Sequence, residues 1–287
     1  MKYYIVGKKI KEGNLESDSE SGILNEYFEL GWEYAVSHLH IKHLFCLGQL
    51  APDDVIVTIK DRMFLYEGFW CNVISYDDFC NKLFNYNDAI DSVVDLCDLI
   101  QNNQVGYIPK LNSENKYEHF ESDKDIIKNI KYRDISHLNT SEPYCCLHIR
   151  YRKWASARNL SRDFWDRIIK KIELSGLKIY IFGKEAKDFA NGDNIIHVNL
   201  DEYASLLNNE NCRFLIGNMS GGTLTAQTFS HKNCKNYVII SDQKTYEEFL
   251  TKNAYRVFYH IEEFNFSEAP IVHVVLNEDI EKLINEL

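Results

Sequence analysis

The chain has no Cys-x-x-Cys pair, no run of about 18 apolar residues, no Walker A lysine and no Gly-x-Gly-x-x-Gly after its first strand. Each absence removes a class. The eight cysteines (Cys46, Cys71, Cys80, Cys97, Cys145, Cys146, Cys212 and Cys234) show no zinc-ribbon spacing. Several lie inside apolar runs, where a thiol behaves as a small hydrophobe, so reduced thiols are expected rather than a disulfide framework. Met1 to Ile10 opens strand-like and has no signal-peptide apolar region, and no stretch is long enough to span a bilayer. These features predict a cytoplasmic protein without an integral membrane segment. Positive charge is also scarce: 32 Lys and Arg against 43 Asp and Glu give a net charge of −11, the wrong sign for a general nucleic-acid binder. His38, His40 and His43 are near one another, as are His137 and His148, but neither group has zinc-like spacing with a carboxylate. No metal and no cofactor is assigned. Internal repeats and low-complexity tracts are missing.

What remains is an ordinary globular composition, 45% hydrophobic and 26% charged over 287 residues. Single cores stop growing at about 250 residues, so two domains are expected. Strands alternate with helices. Lys2–Val6 reads as a strand, Gly22–Ser37 as an amphipathic helix, Val55–Ile59 and Asn72–Tyr76 as strands, and Asn87–Gln101 as a helix. Charges and Asn dominate from Tyr107 to Glu142, which places a boundary near residue 140. The second half is more regular, with strands over 144–149, 177–182, 194–198, 213–217 and 236–241, helices over 161–175, 201–208 and 222–230, and a closing helix at Asn277–Leu287. This is the α/β pattern of two Rossmann-like domains, 1–140 and 141–287, each on a mainly parallel sheet.

Two loops of the second half can hold a phosphate. The run Tyr144–Leu147 ends in His148-Ile149-Arg150-Tyr151-Arg152-Lys153, and Arg158 follows with no acid among these cations. An otherwise acidic chain thus concentrates positive charge where a parallel strand would end, a position where α/β folds contact ligands. Arg suits bidentate phosphate contact and Lys a point charge. A solvated basic surface is the competing reading. The second loop, Gly217-Asn218-Met219-Ser220-Gly221-Gly222-Thr223, follows Phe214-Leu215-Ile216 and opens a helix, whose backbone N–H groups and dipole can receive an anion. A tight turn capped by Ser220 or Thr223 would use the same residues. Both loops are expected on one edge of one sheet, gripping one diphosphate without a metal.

The order Leu147-His148-Ile149-Arg150, Lys153-Trp154, Arg158-Asn159-Leu160, Phe164-Trp165, Leu174-Ser175-Gly176, Ile179–Gly183, Leu200–Leu207 and Phe214–Thr223 resembles the C-terminal half of GT-B glycosyltransferases. It is most similar to heptosyltransferase-like enzymes, and more loosely to fucosyltransferases with a His-x-Arg strand end. Heptosyltransferases usually show Asp-Ser-Gly-Pro and then a His where this chain has Asn218-Met219-Ser220-Gly221-Gly222-Thr223. The resemblance implies two Rossmann-like domains facing a central cleft, a nucleotide-sugar donor on the C-terminal one and a glycan or glycoconjugate acceptor on the N-terminal one. Ser220, Gly221, Gly222 and Thr223 would receive the diphosphate, with Asn218 beside them. Arg150 and Lys153 would neutralise it as it leaves, with His148, Arg152 and Arg158 close by. Gly183, Lys184, Asp201 and Glu202 would border the base and ribose.

An inverting transferase also needs a base for the acceptor hydroxyl, and a carboxylate from the other domain is the expected supplier. Asp18 is the first choice, ahead of Glu20 and Glu16, in a loop that could equally be a solvated acidic turn. In Phe64-Leu65-Tyr66-Glu67-Gly68-Phe69-Trp70, Tyr66 and Trp70 could stack an acceptor sugar, although core packing explains such a run as well. Two other readings fit the same pattern: a sugar-nucleotide 2-epimerase, which needs no acceptor, and an inactive sugar-nucleotide-binding protein.

Overall fold

The computed structural model describes residues 1–9, 33–85, 92–101, 130–151, 158–183, 186, 192, 194–220, 222–223, 230–244, 247, 272–276, 283 and 285. The chain divides into two compact units, Met1–Lys131 and Tyr132–Leu287.

In the first unit β1 (Tyr3–Ile5), β2 (Val55–Thr58), β3 (Val73–Ser75) and β4 (Val93–Asp95) form a sheet of order β3-β2-β1-β4. All three pairings are parallel. A π-helical turn, Glu33–His38, runs into α1 (Leu39–Cys46). Next come a 3₁₀ turn at Lys60–Arg62, α2 (Phe64–Glu67), α3 (Tyr76–Asn85) and α4 (Leu96–Gln101). Ile5, Val57, Phe79 and Cys97 close one core cluster. The helix expected over Asn87–Gln101 is corrected by β4. Val93 and Val94 have the apolar spacing of a helix face, but they are β-branched and pair with Tyr3 and Tyr4. Helix begins only at Leu96. The expected helices over 22–32, 224–229 and most of 277–287 lie outside the described residues.

Among the described residues the second unit has six parallel strands: β5 (Tyr144–His148), β6 (Lys178–Phe182), β7 (Ile195–His197), β8 (Cys212–Asn218), β9 (Lys235–Ile240) and β10 (Val272–Leu276); the last of them is not predicted by the sequence pattern. Their order is β10-β9-β8-β5-β6-β7. Between them stand α5 (Arg162–Leu174) and α6 (Leu200–Asn208). Helix α5 starts where the Ser161 hydroxyl accepts the Phe164 N–H at 3.1 Å, and a positive-φ glycine, Gly176, follows its end. Its stripe Phe164, Trp165, Ile168, Ile169 and Ile172 packs on Cys145, Leu147, Ile149, Ile179 and Ile181. Strand alternation sends the intervening residues to the other face, where the Tyr144 hydroxyl donates to Leu206 C=O of α6 at 2.7 Å. Each large apolar side chain so buried contributes roughly 1.5–3 kcal/mol.

That parity decides where the chemistry falls. His148, at the carboxyl end of β5, joins the α6 face. Crossovers leave β5 toward β6 and β7 on one side and toward β8, β9 and β10 on the other, so the gap between β5 and β8 is a topological switch point. Open α/β sheets bind ligands outside the carboxyl ends of strands at such a point.

Candidate functional site

Register sets His148 of β5 opposite Gly217 of β8 and opposite Phe182 of β6. Both sequence-predicted loops therefore leave the same sheet edge from adjacent strands. Side chains join them. His148 Nδ1 lies 2.9 Å from Ser220 Oγ and 3.2 Å from Thr223 Oγ1, and the Thr223 hydroxyl donates to the Asn218 carbonyl. A Cβ added at Gly222 would sit 2.5 Å from His148 Nε2, so only glycine lets the turn approach the ring.

Behind His148 stands an aromatic column. The imidazole stacks on Phe182 with centroids 5.3 Å apart, and Phe182 stacks on Tyr203 at 4.8 Å. Tyr203 is fully buried, and its hydroxyl reaches Gly222 C=O at 3.4 Å. Burial holds the Tyr203 phenol well above its ordinary pKa, with the Cys146 thiol next in effect, so it stays a neutral donor.

Arg150, only 4% exposed, is held by two asparagines. Its backbone N–H donates to Asn218 Oδ1 at 3.0 Å, and its guanidinium NH1 donates to Asn159 Oδ1 at 3.0 Å. Asn218, fully buried, also donates through Nδ2 to Arg158 C=O at 2.9 Å. One amide thus ties both Arg150 and Arg158 to the end of β8. The Asn218 side chain is engaged with protein and not turned to a ligand, a different use from the donor contact expected of it. Sequence reading did not single out Asn159. An Asn next to a cation cluster gives no signal until the loop closes on itself.

The remaining sequence-predicted residues separate by place. Gly183 has φ +138°, and a Cβ there would fall 2.3 Å from Ile149 C=O, so its glycine is required by the close passage of two loops. Asp201 pairs with Arg133 at 2.8 Å. Glu202 closes a capping box on α6 with Asn199, two bonds of 3.0 Å each, and lies 3.1 Å from His137 Nε2. Both carboxylates thus have structural partners at the start of α6. Lys153, Arg152, Lys184, Gly221, Asp18, Glu20 and Glu16 lie outside the described residues.

The acceptor role expected of Tyr66 is corrected. Its ring is fully buried and its hydroxyl donates to Glu33 Oε1 at 3.2 Å, leaving no ring face for a sugar. Trp70 is partly exposed, donates through Nε1 to Asp54 C=O at 2.9 Å, and its ring meets Phe45 edge-on.

Tyr66 leads to a group that sequence reading missed. Glu33, fully buried, accepts from Thr58 Oγ1 and from Arg62 NH1, the latter at 2.5 Å. Burial pushes its carboxyl up, and the Arg62 guanidinium pulls the other way. An acid among the aromatic residues of an amphipathic pattern reads as solvent-facing, so no local signal marks it. At the carboxyl ends of β1 and β4, Lys8 Nζ bridges Asp95 at 2.7 Å and Asp98 at 2.5 Å. No group of three or more His, Cys, Asp or Glu among the described residues could hold a metal ion. No helix among the described residues is long and apolar enough to cross a membrane.

No protein-family model matches the chain, and no curated protein matches it. Among solved structures, E. coli ADP-heptose LPS heptosyltransferase II aligns over 100% of this chain and 97% of its own at 11% identity, with a TM-score of 0.52. The chain has the heptosyltransferase fold. E. coli heptosyltransferase WaaC with ADP aligns over 100% and 99% at 12% identity and a TM-score of 0.49. A glycosyl transferase family 9 protein from Veillonella parvula aligns over 99% and 88% at 10% identity and a TM-score of 0.49. His148, Arg150, Ser220, Gly222 and Thr223 gather at the carboxyl ends of β5 and β8 in the parallel sheet of the second unit.

Proposed function

We propose that this protein is a glycosyltransferase that moves a sugar from a nucleotide-diphosphate sugar to a hydroxyl of a glycan or glycoconjugate, without a divalent metal and with inversion. One observation supports this reading above the others: at the switch point between β5 and β8, the loop bearing Arg150 and Arg158 is joined through Asn218 to the turn bearing Ser220, Gly222 and Thr223. A diphosphate seated there has the Ser220 hydroxyl and the amides of a strand-to-helix turn on one side and the Arg150 guanidinium on the other.

The chemistry asked of these residues is electrostatic. The acceptor oxygen forms a bond to the anomeric carbon as the bond to the diphosphate oxygen breaks. The nucleoside diphosphate leaves with the electron pair, and the acceptor proton passes to a carboxylate, Asp18 ahead of Glu20 and Glu16. Charge grows on the departing diphosphate, where the cations Arg150, Lys153 and Arg158 stabilise it more than they do the ground state. The donor is held by the C-terminal unit and the acceptor by the N-terminal one. The fold-sharing E. coli protein is an ADP-heptose LPS heptosyltransferase, so ADP is the first nucleotide to test.

Thermal shift with UDP, GDP, ADP, CMP and dTDP checks the donor site, because a ligand bound only to the folded state raises Tm by mass action. A rise with at least one nucleoside diphosphate is expected, and no rise with any of them removes the donor site. Turnover in EDTA is expected to persist; complete loss restored by manganese would overturn the metal-free mechanism.

A further inference from the structure

A threonine hydroxyl has one proton to give, and Thr223 gives its own to the Asn218 carbonyl, a group that can only accept. Toward its other neighbours Thr223 Oγ1 is an acceptor. His148 Nδ1 lies 3.2 Å from that oxygen, so the contact is a hydrogen bond only if Nδ1 carries a proton; a bare nitrogen would set two lone pairs against each other. This holds for the neutral Nδ1–H tautomer and for the imidazolium alike, whatever stands at Nε2. The same Nδ1 is 2.9 Å from Ser220 Oγ, which therefore accepts as well. With an N–H directed at its oxygen, the Ser220 hydroxyl has to point its own proton elsewhere. Among the described residues the one further acceptor in its reach is Thr223 Oγ1 at 3.5 Å, the outer limit of such a bond. Thr223 and His148 are buried and Ser220 is half-buried, so Ser220 is the one of the three placed to meet a ligand. The ring is held in this orientation by its stack on Phe182 and by the close passage of Gly222.

We propose that His148 is a positioning residue: by donating Nδ1–H to Thr223 and Ser220, it commits the Ser220 hydroxyl to donate outward, to an anionic oxygen of the diphosphate. The proposal rests on the donor-site reading above and adds to it which hydroxyl meets the ligand and what fixes its proton. A serine by itself can accept or donate. The imidazole removes the choice.

In the whole protein with isotope-labelled histidine, long-range proton–nitrogen spectra read the ring protonation, the His148 signal being the one absent from His148→Asn or His148→Leu. A protonated Nδ1 is expected, and a bare Nδ1 overturns the proposal. Calorimetry with inorganic pyrophosphate, and with the nucleoside diphosphate that raises Tm most, reads the consequence. Ser220→Ala is expected to weaken both ligands about tenfold, the loss of one hydrogen bond to a charged group. His148→Leu, which fills the space but gives no proton, is expected to weaken them by a similar factor, and Ser220→Ala added to it by little more. His148→Asn, whose amide nitrogen can stand where Nδ1–H stands, is expected to restore most of the loss. A merely structural histidine produces neither the rescue nor the non-additivity. Multiplying effects of the two substitutions, His148→Asn binding no better than His148→Leu, or parent-like binding in Ser220→Ala overturns the positioning role and leaves the donor site standing. A parent that binds neither pyrophosphate nor any nucleoside diphosphate removes the donor site and the positioning role together.

Discussion

His38 sits fully buried in the N-terminal unit, edge-on to Tyr66, with Nε2–H donated to Leu65 C=O at 3.1 Å. Burial lowers its imidazole to about 3, and the Lys42 ammonium acts in the same direction; the bond to Leu65 opposes them. The unfolded chain binds this proton near the ordinary value of 6.5. Between those two values the unfolded state carries the extra proton, so stability is full above pH 6.5 and is lost as pH falls toward 3. From pH 7 to 5 the loss from this residue is expected to be about 2 kcal/mol. Urea titrations at both pH values check it. His38→Gln, which keeps a donor for Leu65, should lose less by that amount, and equal losses in both proteins would show that His38 is not the cause. Glu33 acts with the opposite sign: its raised carboxyl binds a proton more readily when folded, so its burial costs stability above the raised value and that cost fades as pH falls. Neither group is legible in the sequence. A single His or Glu in a helical pattern carries no mark of the partners that the fold will bring.

The turn that follows β8 shows how an element builds the site. The strand is apolar enough to be read from sequence, and so is the Ser-Gly-Thr run after it. The sequence also suggested that Ser220 or Thr223 caps a helix. In the structure both hydroxyls lie within hydrogen-bond reach of His148 Nδ1, so the turn is joined to the neighbouring strand. Gly222 makes this possible. Gly222→Ala would set a methyl 2.5 Å from His148 Nε2, and the ring, stacked on Phe182, has to shift or the turn has to withdraw. Destabilisation of about 1–3 kcal/mol is expected from such overpacking, together with a loss of nucleotide affinity. Differential scanning calorimetry and ADP titration measure the two; a variant with parent-like Tm and affinity would mean that the turn and the ring are not coupled. The β4 segment teaches the converse. Val93 and Val94 fit a helical stripe, and only pairing with β1 reveals the strand, because a short β-branched run gains its stability from a neighbour the sequence does not name.

At the scale of the whole molecule, the division into Met1–Lys131 and Tyr132–Leu287 goes with a proposed division of labour, in which donor binding belongs to the second unit and proton removal to the first. The two are separable by mutation. Alanine at Glu16, Asp18 and Glu20 together is expected to lower kcat about 100-fold or more, the usual worth of a general base, with the nucleotide Kd unchanged. Steady-state kinetics beside calorimetry checks this. Unchanged kcat removes these carboxylates as the base, and a weakened nucleotide Kd would show that the units do not act separately.

The amino-acid order alone determined the parallel α/β class and, to within a residue or two, the strands β5 to β9 of the second half, and it marked the two loops for which phosphate binding is proposed; β10 (Val272–Leu276) it did not mark. Those properties reside in short-range periodicity and in residue type, which need no partner to be expressed. Strand order did not. That β5 lies beside β8 with crossovers departing in opposite directions, that parity turns His148 toward α6, and that Asn159 and Asn218 close on Arg150 were decided only in the tertiary structure. Each is a contact between segments distant in the chain, and its free energy comes from burial that a local stretch cannot supply.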